Sequence, residues 1–99
     1  METGQQVLSE PEIHELLREL PQWSLEGGKL VREWTFPGFV QAIDFVGGVA
    51  NLAEQAGHHP DIDIRYNRVK LGLVSHDAGG ITRRDAEMAR RLNHSVAGR

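Results

Sequence analysis

Cysteine is absent from all 99 residues. Disulfides, thiolate nucleophiles, cysteine-ligated zinc and iron–sulfur clusters are therefore excluded together. The lack also fits a reducing compartment such as the cytoplasm. No apolar run approaches the roughly 20 residues a membrane span needs. The first ten residues, METGQQVLSE, offer neither a basic start nor an apolar stretch, so no signal peptide is expected. An excess of positive charge is missing too. Eleven Lys and Arg face fourteen Asp and Glu, a formal net charge of −3, which gives no electrostatic reason to expect direct binding to nucleic acid or anionic membrane. The chain has room for one modest core, and association with copies of itself would add to it.

Within those limits the apolar pattern is regular. The whole chain, 1–99, reads as one domain, with residues 1–8 a loose polar tail within it. Ser9 and Glu12 have capping-box spacing, and Ile13, Leu16, Leu17 and Leu20 make a helical stripe that Pro21 stops. QWSLEGGKLVREWTF predicts a hairpin turning at Gly27-Gly28. From Pro37 or Phe39 to about Ala56 runs a long helix with two adjoining apolar stripes, more face than one sheet can cover. Gly57 and Pro60 end it. DIDIRYNRVKLGLVSH predicts a second hairpin turning at Asn67-Arg68, and Thr82 opens a third helix through about Asn93. The order α-β-β-α-β-β-α implies an α+β two-layer sandwich: a four-stranded, mainly antiparallel sheet with three helices on one face.

Three of the five histidines, His58, His59 and His76, fall within one stretch between element ends. Pro60 disfavours helical geometry at His59, so the pair sits at a stiff corner. The carboxyl end of the long helix carries partial negative charge that favours a cation there. Imidazoles so placed suit proton transfer near neutral pH. Space filling is the alternative for each of them. His14 and His94 read as solvated.

Other chemistries fit less well. His58, His59, His76 and Asp77 are zinc ligands by type, but adjacent residues of an extended segment point to opposite sides, and no HExxH spacing occurs. No metal is expected. Ser75, His76 and Asp77 are neighbours in the chain and cannot act on one another as a triad. Gly79-Gly80 lacks the phosphate-loop pattern and reads as a turn. Thr82 and Asp85 have capping-box spacing, so Asp85 has a structural role open to it besides a functional one.

From Glu54 to Asp85 the chain resembles the pterin-4a-carbinolamine dehydratases. Their pattern is an acidic residue, three spacers, His-His-Pro, an aromatic about six residues on, a histidine ten later and a distal aspartate. Here these are Glu54, His58-His59-Pro60, Tyr66, His76 and Asp85, with YNRV and SHDAGGITRRD also similar. The resemblance implies loss of water from 4a-hydroxytetrahydropterin to give quinonoid dihydropterin, with no cofactor and no metal. It implies His58 and His76 as the acid–base pair and His59 as a substrate-binding group. It places Glu54 behind His58, makes Pro60 the corner, lines the pocket with Tyr66, and puts Asp77 and Asp85 in support. Some members carry tryptophan, an aromatic that helps hold the pterin, where this chain has Ile62. The implied partners are the pterin, further copies of the chain in a homodimer or homotetramer, and an aromatic amino acid hydroxylase as supplier. Members of the family also act as binding or assembly modules, the competing expectation.

Overall fold

A computed structural model describes residues 6–96. Helix α1 (Glu10–Glu19) is followed by strands β1 (Ser24–Glu26) and β2 (Lys29–Thr35). Helix α2 (Phe39–Ala56), strands β3 (Asp61–Arg65) and β4 (Arg68–Leu73), and helix α3 (Arg83–Arg91) come next, and a π-helical stretch covers Leu92–Val96. The strands form one antiparallel sheet in the order β1-β2-β4-β3. The expected α+β class and element order are what the chain adopts.

Local signals account for most of the boundaries. The Ser9–Glu12 capping box starts α1, with Glu12 accepting from the Ser9 N–H at 2.7 Å. Gly27 and Gly28 both have positive φ, 56° and 79°, as a two-residue turn between twisted strands requires. Gly57 closes α2 in the left-handed region at φ 65°.

The second turn differs by one residue from expectation. Arg65 pairs with Arg68, so the turn residues are Tyr66 and Asn67, and Tyr66 takes a φ of 56°. Register decides this. Ile62 opposite Leu71 and Ile64 opposite Val69 put the apolar side chains on one face, and a one-residue slip would turn them all over.

That apolar face is the covered one. Leu30 and Trp34 of β2 and Val69, Leu71 and Leu73 of β4 are buried against Leu16 of α1, Ala42, Phe45, Val49 and Leu52 of α2, and Ala86 and Ala89 of α3. Phe45 lies between Trp34 and Phe36, its ring centroid 4.8 and 5.0 Å from theirs. The opposite face carries ion pairs: Lys29–Asp61, Lys70–Glu26, Arg68–Glu33 and Arg65–Asp63. Cover fades at the edges, and Ile62 and Ile64 of β3 stay partly open.

The tail expected over residues 1–8 is held at its end. Leu8 donates its N–H to the Ile81 carbonyl at 2.8 Å and packs on the core, and the Val7 methyls lie over Gly80. Residues 1–5 lie outside the described part.

Candidate active site

The end of α2 sets the site. Gly57 reverses the backbone, and the His58 N–H returns to the Ala53 carbonyl at 3.1 Å, so residue 58 is turned inward. His59 follows in an extended segment and faces the other way, as adjacent extended residues do. His58 is 9% exposed, whereas the His59 side chain is 62% exposed.

His58 Nε2 lies 2.6 Å from Oδ1 of Asp85, which is completely buried. Asp85 stands in the first turn of α3. Its second oxygen, Oδ2, accepts the Thr82 N–H at 2.9 Å and the Ser75 hydroxyl at 2.8 Å. The Thr82 and Ser75 hydroxyls are 2.8 Å apart, and the Thr82 hydroxyl accepts the Arg84 N–H. Asp85 therefore does both things its sequence position allowed. One oxygen caps the helix and the other meets His58. A carboxylate can only accept, so His58 donates from Nε2, and Nδ1 is the nitrogen left for a ligand.

His76 stands one residue beyond Ser75 and is exposed. Its segment is a closed turn. Ser75 pairs with Gly80 through both backbone groups, its N–H donating to Gly80 O at 3.0 Å and its carbonyl accepting from Gly80 at 3.3 Å. The same carbonyl accepts the Ala78 and Gly79 N–H groups at 3.0 Å each. Gly79, at φ 81°, supplies the left-handed step. Asp77 braces the turn from outside by accepting from Arg84 Nη2 at 2.7 Å, and that hydrogen bond holds the Asp77 carboxyl below the usual aspartate range.

Glu54 does not stand behind His58. Its carboxylate lies 2.7 Å from His59 Nε2, because the inward turn of His58 leaves His59 on the same outer side as the last turn of α2. Tyr66 is also elsewhere. It occupies the far turn of the β3–β4 hairpin, 68% exposed. The corner at Pro60 is at the other end of β3, about 20 Å away at the rise of a strand. Within one chain Tyr66 does not join the histidines.

Two polar residues of the cluster, Ser75 and Thr82, were not among the expected site residues. The Thr82–Asp85 spacing signalled the cap, but nothing local signals that Ser75 turns toward a carboxylate ten residues on. A serine does meet an aspartate–histidine pair here. It does so by donating to the carboxylate, on the side away from the imidazole, and not as a nucleophile. Among the described residues, no three His, Asp or Glu side chains gather as a metal-binding set.

The chain is similar to known proteins over most of its length. The model of the family described as "Pterin 4 alpha carbinolamine dehydratase" matches residues 6–95. A Chloroflexus aurantiacus protein named "Putative pterin-4-alpha-carbinolamine dehydratase" is 58% identical over 82 residues, covering 83% of this chain and 88% of that one. A protein of the same name from Thermomicrobium roseum is 54% identical over 85 residues, covering 86% and 91%. The crystal structure of a transcriptional coactivator/pterin dehydratase from Brucella melitensis superposes with a TM-score of 0.85 at 35% identity, covering 92% of this chain and 99% of that one. A pterin dehydratase-like protein described as a RuBisCO assembly factor in the alpha-carboxysome superposes with a TM-score of 0.65 at 25% identity, covering 78% and 90%. By the family match over nearly its whole length, the chain belongs to the pterin 4 alpha carbinolamine dehydratase family.

Proposed function

We propose that this single-domain protein dehydrates 4a-hydroxytetrahydropterin to quinonoid dihydropterin in the recycling of a tetrahydropterin cofactor. One observation carries the reading: a buried imidazole, His58, is pinned through Nε2 to a buried carboxylate, Asp85, and so presents Nδ1. Two exposed histidines accompany it: His59 directly after it in the chain, and His76 on the turn that Ser75 closes.

The reaction needs two proton movements. The bond from C4a to its hydroxyl oxygen breaks, and a proton delivered to that oxygen makes the leaving group water. A second proton leaves N5, and its electron pair forms the C4a–N5 double bond. One imidazolium and one neutral imidazole supply and accept these protons, and the exchange is balanced without an oxidant or a nucleophile. His58 and His76 are the proposed acid–base pair. The Asp85 carboxylate keeps the His58 ring in one orientation and stabilises its protonated form when a proton arrives, as a carboxylate does behind a catalytic histidine. His59, steadied by Glu54, is the proposed substrate contact, with Pro60 fixing the corner. Asp77 supports the site by bracing the turn below His76. Ile62 offers aliphatic surface near the corner where some relatives offer an indole.

The test is dehydration of 4a-carbinolamine generated in place by an aromatic amino acid hydroxylase, the proposed supplier of the substrate. His58→Ala and His76→Ala are each expected to lower turnover by about 100-fold or more while the protein stays folded by circular dichroism. Wild-type turnover in both variants overturns the assignment.

Association with further copies belongs to the same reading. Phe39, Val40 and Ile43 leave an apolar stripe of α2 half open, and a homodimer or homotetramer would cover it. A cytoplasmic setting fits the cysteine-free composition. Among the described residues no helix is long and apolar enough to cross a membrane. The second reading is a non-catalytic binding or assembly module, favoured by the coactivator and RuBisCO assembly-factor descriptions of the two solved relatives. Failure of the wild-type protein in the dehydration assay would select it.

A further inference from the structure

Ser75 lies at the start of the turn that carries His76, and its hydroxyl reaches the carboxylate that holds His58. It is 1% exposed, and neither of its polar partners is solvent. Its hydroxyl has a single proton, which goes to Asp85 Oδ2. The Thr82 hydroxyl proton then points at the Ser75 oxygen, so the chain of donors runs Thr82, Ser75, Asp85. On the other side of the carboxylate, His58 Nε2–H donates to Oδ1.

Two donors on Oδ2, the Ser75 hydroxyl and the Thr82 N–H, saturate that oxygen and stop the carboxylate turning about its own bond. Oδ1 alone is then presented to the imidazole. The consequence reaches the far nitrogen: a neutral His58 held as the Nε2–H tautomer carries its lone pair on Nδ1. The backbone of the same serine closes the turn on which His76 stands, through its N–H and through three bonds to its carbonyl.

We propose that Ser75 is a positioning residue of the dehydration site: its hydroxyl clamps Asp85 so that His58 keeps Nδ1 toward the substrate, while its backbone seats His76. This rests on the dehydratase reading for its catalytic consequence but not for its structural one. The residue acts through Asp85 and does not touch the reacting atoms.

Ser75→Ala removes the hydroxyl and leaves the turn's backbone bonds in place. Two readouts are taken. In the ligand-free protein, ring-nitrogen NMR of His58 is expected to change from one Nε2–H tautomer to a mixture of both. In the hydroxylase-coupled assay, kcat is expected to fall about 10- to 100-fold, the scale on which partners behind a working histidine act, with KM changed less than about threefold. Ser75→Thr keeps a hydroxyl and is expected to restore the single tautomer and most of kcat. Should Ser75→Ala fail to fold, Ser75→Cys, similar in size and a weak donor, reads the same quantities. A single Nε2–H tautomer together with wild-type kcat in the folded variant overturns the proposal, as does failure of Ser75→Thr to restore either. If the wild-type protein itself lacks dehydratase activity, the dehydratase reading falls, and the tautomer measurement still decides the role of Ser75.

Discussion

Asp85 is fully enclosed, yet every acceptor direction it needs is filled: His58 on one oxygen, Ser75 and Thr82 on the other. A buried carboxylate is tolerated only in such company, because an unpaired one loses its water with nothing in return. Asp85→Asn puts an amide where donors already point. With the amide oxygen kept on Ser75 and Thr82, the amide N–H faces His58 Nε2, which accepts only as the Nδ1–H tautomer, so the charge-assisted pairing is lost and Nδ1 no longer offers its lone pair. The expected outcome is a destabilisation of about 1 kcal/mol, the scale on which a charge-assisted hydrogen bond exceeds a neutral one, measured by urea unfolding, with dehydration reduced as well. Unchanged stability would show that Asp85 is not held as described. The identity of these residues was legible in the chain, and their partners were not. His58 and Asp85 are 27 residues apart, so only the fold brings them together. Glu54 has nearly helical spacing to His58 but reaches His59 instead, because Gly57 interrupts the helix between them.

Among the elements, α2 governs where the corner stands. Its buried positions, Ala42, Phe45, Val49, Leu52 and Ala53, fix its rotation on the sheet, and the left-handed Gly57 that caps it decides which histidine points in. A Cβ at Gly57 meets nothing within 4 Å, so the demand there is conformational alone. Gly57→Ala is expected to destabilise by about 1 kcal/mol, the cost of a left-handed alanine, read as a lowered urea midpoint. A stability gain would mean the cap relaxes to another geometry. The elements themselves were readable because apolar spacing at 3.6 and 2 residues is a strong signal. The second hairpin turn was not, since Tyr66-Asn67 lacks the glycine that marks Gly27-Gly28. Alternation identifies a strand's inward face but leaves the turn residues to whichever register buries it. That difference moves Tyr66 into the turn, pointing to solvent at the end remote from Pro60.

For the molecule as a whole, cover is unequal. The inner faces of the two central strands are sealed, while α2 leaves Phe39 51%, Val40 66% and Ile43 41% exposed. The proposed association of copies predicts that Ile43→Glu shifts the protein to a smaller species in sedimentation velocity at micromolar concentration, since a carboxylate in a dry contact is strongly disfavoured. A wild-type protein already monomeric there, or a variant of unchanged mass, would remove α2 from the contact. The outer sheet face has no comparable apolar opening. Its four basic and four acidic side chains are matched in pairs, and Gly72 leaves clear the strip over which Lys29 reaches Asp61.

The polar cluster is stitched from three stretches of chain: the corner after α2, the turn after β4, and the first turn of α3. Synthesis delivers these in order, and the carboxylate that completes the set comes last. A nascent polypeptide halted before residue 85 would carry all three imidazoles but not the carboxylate that orients His58. Premature termination products would thus lack the His58–Asp85 pair on which the proposed dehydration depends, even where most of their sheet had already formed.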